Sequence, residues 1–115
     1  MISNYKYYNG INNHNKYIRD YLIEQGFNIG ILGTAYLKEC VLYAVENPIS
    51  LNNITNIFKK ISEKYNCTTI SVTRDIRTAI TKAYEISKFQ NISCFRGNIP
   101  TTKQMIVWLY DLLTI

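Results

Sequence analysis

The stretch Asn66–Tyr84, NCTTISVTRDIRTAITKAY, decides how this chain is read. At about 100° per residue, Val72, Ile76, Ala79, Ile80 and Ala83 fall on one side of a helix, and Ser71, Arg74, Arg77, Thr78 and Thr81 fall on the other. One side suits packing; the other, carrying hydroxyls and guanidinium groups, suits a polyanion. Thr68 or Thr69 is the expected N-cap, because a threonine hydroxyl accepts a bond from an N–H of the first turn that has no partner in the helix.

Immediately ahead, Ile54 to Tyr65 carries apolar residues at Ile54, Ile57, Phe58, Ile61 and Tyr65, the stripe of another amphipathic helix. Two helices joined by three or four residues make a helix-turn-helix candidate. Asn66 lies where such a turn needs a left-handed residue, and asparagine tolerates that conformation better than most. The second helix is then the one that enters a DNA major groove. Amphipathic pairs with short turns also occur in ordinary bundles, and a Thr/Arg face is commonly just solvated, so this pattern alone leaves both readings open.

The chain has 115 residues, 47% of them hydrophobic, which suits one domain with its own core. The formal net charge is +5 and the isoelectric point is near 9.1. Distribution says more than the total. From Lys59 to Lys88 the basic residues Lys59, Lys60, Lys64, Arg74, Arg77, Lys82 and Lys88 outweigh Glu63, Asp75 and Glu85, so most of the surplus lies on the helix pair. Such side chains neutralise phosphates and give salt-dependent affinity. Cys40, Cys67 and Cys94 are too scattered for a zinc site or a disulfide framework and fit a reducing cytoplasm; Cys40 and Cys94, among apolar neighbours, are expected in the core, with Cys67 exposed in the turn. No apolar run approaches the ~20 residues of a membrane span, so no membrane association is expected.

In chain order, Met1–Asn15 is rich in Asn and Tyr and reads as a mobile or loosely docked arm ahead of a domain over residues 16–115. Helices are expected over Lys16–Gln25, stopped by Gly26, and from Gly33 or Thr34 to about Glu46, stopped by Pro48. Asn52 or Asn53 caps the next one. Beyond Ile86 the pattern weakens, with a short helix expected near Phe89–Cys94, packed by Phe89, Ile92 and Phe95. The last helix, Thr102–Leu113, has an apolar stripe too broad for one neighbour, so it crosses the bundle or joins a homodimer. The fold expected is all-α, a compact bundle of about six helices containing a helix-turn-helix.

Catalysis has little to stand on. His14 is the only histidine, there is no glycine-rich phosphate loop or nucleophile elbow, and the carboxylates are scattered singly. Glu39, alone in an apolar helix, reads as a structural ion-pair or hydrogen-bond partner. No enzyme, cofactor or metal is expected.

Four stretches carry a resemblance: EQGFNIGILG at Glu24–Gly33, GTAYLKECV at Gly33–Val41, EKYNCTTISVTRDIRTAI at Glu63–Ile80, and IPTTKQMI at Ile99–Ile106. In order and spacing they resemble the C-terminal DNA-binding effector domain of the sporulation initiation response regulators, from about Ile18 to Leu113. The resemblance implies a six-helix domain that binds a short operator box on double-stranded DNA, often as tandem copies, and activates or represses transcription. Asn66 and Thr68 match the family's turn, Val72, Ile76, Ala79 and Ile80 its buried face, and Arg74 and Arg77 two basic residues used on DNA. Where the family carries an arginine, a glutamate and a histidine, this chain has Ser71, Thr73 and Thr78, less selective readers, which implies an altered or weaker operator. The family's receiver domain does not fit in the first fifteen residues, so the chain is either an excised effector domain or a stand-alone regulator, the second being favoured because the Asn/Tyr arm resembles no expression tag.

The interface expected is therefore Thr69, Ser71, Thr73, Arg74, Arg77 and Thr78 on the reading helix. Lys60 and Lys64 are the preferred phosphate contacts, ahead of Lys59 and Lys82. The competing reading is a protein-interaction module, a degenerate effector domain that holds RNA polymerase, a relative of itself or another regulator.

Overall fold

The computed structural model describes residues 11–114, and every regular element among them is helical. The order is α1 (Ile11–Glu24), α2 (Leu32–Glu46), a 3-10 turn (Pro48–Asn52), α3 (Ile54–Lys64), α4 (Thr69–Ser87) and α5 (Thr102–Thr114). The all-α expectation holds, with five α-helices rather than six among the described residues. α1 begins five residues ahead of the expected Lys16; the rest of the proposed arm, residues 1–10, lies outside the described residues.

Local chemistry accounts for the boundaries. Gly26 ends α1 at φ 94°, and two bonds close the cap: its N–H donates to the Ile23 carbonyl at 3.0 Å and the Phe27 N–H to that of Leu22 at 2.9 Å. This is a Schellman cap, completed by the burial of both Leu22 and Phe27. α2 ends just ahead of Pro48, as expected. That proline does more than stop it: it opens the 3-10 turn, its lack of an N–H costing nothing at a first helical position. Asn53 precedes α3 without a side-chain capping bond. A reciprocal capping box opens α5, the Thr101 hydroxyl accepting from the Gln104 N–H at 3.1 Å and the Gln104 side chain from the Thr101 N–H at 2.9 Å.

The core runs through all five helices. Leu22 of α1, Leu37, Cys40, Val41 and Ala44 of α2, Ile57 of α3, Val72 and Ile76 of α4, and Met105 and Ile106 of α5 are buried completely or nearly so. α2 is the central element, and its most extensive partner is α4. Gly33 makes that approach possible: a Cβ there would collide with the carbonyl group of Asp75 and stand 3.1 Å from the Ala79 Cβ. The stripe on α5 is taken up within the chain, against α2, α4 and α1, with the Trp108 indole N–H donating to the Tyr21 hydroxyl at 3.3 Å. Breadth in α5 thus reflects a crossing of the bundle and supplies no argument for a homodimer.

Two expectations beyond α4 need correction. Residues 88–98 form successive turns, not a short helix, because Lys88 and Phe89 both take positive φ (56° and 48°) and break the helical ladder. The anchors are nevertheless the expected ones: Phe89, Ile92 and Phe95 are buried, with the Phe89 ring against Phe27, Tyr84 and Phe95. Cys94, placed among them by sequence, is exposed, whereas Cys40 is fully buried and Cys67 half-buried. Burial pushes the Cys40 thiol up to about 12. A thiol reagent at about pH 8 should therefore modify Cys94 quickly, Cys67 more slowly and Cys40 only on unfolding. Native Cys40 reacting as fast as Cys94 would contradict this packing.

Candidate nucleic-acid interface

The turn between α3 and α4, residues 65–68, is fixed from several directions. Asn66 adopts the expected left-handed conformation (φ 56°), and the Cys67 N–H donates to the Ser62 carbonyl at 2.9 Å. Tyr65 sets its ring edge-on against Tyr36 of α2, centroids 5.1 Å apart, and its hydroxyl donates to Glu39 at 3.2 Å. Cys67 Sγ lies 3.7 Å from the Tyr36 hydroxyl. Burial, aided by that contact, pushes the Tyr36 phenol up to about 12. Glu39 also receives Lys64 Nζ at 2.9 Å, so the carboxylate read as structural ties α2 to the end of α3. The hydrogen bond to Glu39 raises the Lys64 pKa above its ordinary value.

Thr68, one of the two expected caps, accepts the Ser71 N–H on its hydroxyl at 3.0 Å and starts α4. The inward side of that helix is Val72, Ile76, Ala79, Ile80 and Ala83, all buried, as the spacing required. Its outer side presents Ile70, Thr73, Arg74, Arg77, Thr78, Thr81, Lys82 and Glu85 along one face of the helix. Both arginines are therefore together on the solvent side. The Arg74 side chain is 68% exposed, steadied by Ser71 Oγ at 3.4 Å and by Asp75 at 3.7 Å. Arg77 is exposed and has no ion-pair partner among the described residues.

The threonines are oriented by the helix itself. Thr73 Oγ1 donates to the carbonyls of Thr69 and Ile70, each at 3.1 Å, and Thr78 Oγ1 donates to that of Arg74 at 3.1 Å. With the proton committed to the backbone, each hydroxyl offers lone pairs to a ligand. Thr69 is half-buried at the helix start and Ser71 half-buried beside Arg74.

The lysines divide differently from the sequence ranking. Lys82 lies on the arginine face of α4, whereas Lys60 and Lys64 share a separate cleft with Glu39 and Glu46, and Lys59 is exposed on α3. The Glu39 attraction joins residues 25 positions apart and has no local signature. Ile70 was not singled out by sequence; its signal was position, since it stands four residues before Arg74 and seven before Arg77 on the same helical stripe.

Among the described residues no helix is long and apolar enough to cross a membrane. A search of curated proteins finds no match. A family described as "sporulation initiation factor Spo0A C terminal" matches residues 18–111, nearly the whole described chain, and the protein belongs to that family.

Proposed function

We propose that this protein is a sequence-specific DNA-binding transcriptional regulator in which α3, the turn and α4 act as a helix-turn-helix and α4 enters the major groove. The observation that carries the reading is the division of α4: one face fully buried, the other presenting Arg74 and Arg77 together to solvent. Family membership supports it, since the family's domain is a DNA-binding sporulation regulator rather than an enzyme. In this reading Arg74 contacts guanine O6 and N7, Arg77 a base or neighbouring phosphate, and Thr73 and Thr78 accept from base amino groups. Ser71 stands beside Arg74, Thr69 opens the helix, and Lys82 on the arginine face joins Lys60 and Lys64, in their separate cleft, as phosphate contacts. The competing protein-interaction reading draws on the α5 stripe, which the chain covers itself, and on Ser71, Thr73 and Thr78 standing where the family has stronger base readers.

Selection of duplexes from a random pool by the full chain, followed by titration at two salt concentrations, tests the proposal. A recovered duplex should bind about 10²- to 10³-fold tighter than its scrambled counterpart, at the low end for specific binders because Ser and Thr discriminate weakly, and both should weaken as salt rises. Binding with neither sequence preference nor salt dependence refutes it.

A further inference from the structure

Ile70 is 74% exposed, although the opposite face of its helix is fully buried. Its side chain does nothing for the core, and an isoleucine in water on a helix's first turn gains nothing from burial or intrinsic propensity. It shares the outer face of α4 with Thr73, Arg74 and Arg77, at the end of the helix from which reading helices contact base edges. Cationic and hydroxyl groups surround it, so the occupant that meets this isoleucine carries negative charge and an apolar knob together. A thymine in duplex DNA has both, its 5-methyl group projecting into the major groove between phosphate walls.

We infer that Ile70 is a specificity-determining residue that packs on a thymine methyl next to the guanine held by Arg74. This rests on the DNA-binding reading above and adds a base to it. Four residues of helix rise span ~6 Å, about two base-pair steps, so the thymine lies within about two base pairs of that guanine. Thr73, on the same outer side of α4, has its hydroxyl proton turned to the backbone.

The test takes the tightest duplex recovered by the full chain from a random pool and replaces each thymine singly with deoxyuridine, which removes only the methyl. Wild type should lose about three- to fivefold in affinity at one thymine near the arginine-read guanine, the worth of about one buried methyl, and not elsewhere. Ile70→Ala should lose a similar factor on the unmodified duplex and be indifferent to that same replacement. Because Ile70 is exposed, the variant should keep the wild-type circular dichroism spectrum and melting temperature. The inference is overturned if no thymine is sensitive, if Ile70→Ala binds as tightly as wild type, or if the variant remains equally sensitive to the missing methyl. Failure to recover any preferred duplex removes the DNA-binding reading itself, a different result from recovering one that ignores its methyls.

Discussion

Gly33→Ala is expected to lower the melting temperature by more than about 10 °C. Two effects oppose each other at this position. Alanine is the better helix former by about 1 kcal/mol, and Gly33 lies in the first turn of α2, so propensity alone predicts a gain. Against it stands the added Cβ, which meets the Asp75 carbonyl group and the Ala79 Cβ. Overpacking a core costs ~1 to 3 kcal/mol when side chains can yield. Here the nearest obstacle is backbone in the middle of α4, which yields only if the whole helix pair separates, so the cost belongs at or above the top of that range and the clash outweighs the propensity. A loss of about 3 kcal/mol is a large part of the ~5 to 15 kcal/mol by which domains are stable, and each kcal/mol moves a domain of this size by about 4 °C or more. Thermal unfolding followed by circular dichroism measures it; a midpoint within ~2 °C of wild type would mean that α2 and α4 have room to spare.

Arg74→Ala should reduce affinity for the selected duplex by about 5- to 150-fold, corresponding to ~1 to 3 kcal/mol for a bidentate base contact, while weak binding to unrelated duplex survives. Ser71 and Asp75 both contact the guanidinium on the outer face of α4, but as exposed contacts they restrain it only weakly, so most of the loss expected here is the base contact itself. Arg74→Lys separates geometry from charge: a lysine supplies the positive charge without the planar fork, and should recover little of the preference. If lysine restores full discrimination, Arg74 acts as a point charge near phosphate, and guanine reading must be reassigned to Arg77. An alanine variant that binds the selected duplex as tightly as wild type removes Arg74 from the interface altogether.

How far such a site is legible in sequence depends on the range over which its determinants act. The two faces of α4 follow from helical period alone, and Asn66, Thr68 and Gly26 follow from backbone chemistry that involves only near neighbours. All of these are where the sequence puts them. The 3-10 turn after Pro48 escaped because five residues are too few to show a period, and a proline there reads equally as a stop or a start. Cys94 was misplaced because sequence neighbours indicate direction only inside a regular element. In the turns after Lys88, Ile92 and Phe95 point inward while Cys94, next to Phe95, does not. The pairing of Lys64 with Glu39 and the closeness of Gly33 to Asp75 are tertiary facts with no local trace.

Gly26 and Gly33 bracket the short connection from α1 to α2, and both press on the rear of α4: a Cβ on Gly26 would stand 3.2 Å from the Ala83 carbonyl oxygen, and one on Gly33 would collide at Asp75. These two footholds are eight residues apart, a little over two turns of helix. A rod clamped from behind at two such points can neither roll about its long axis nor tilt without lifting off one of them. In the DNA-binding reading proposed above, bending to improve the fit then falls to the duplex rather than to the backbone of this helix, which favours pliable sequences over stiff ones.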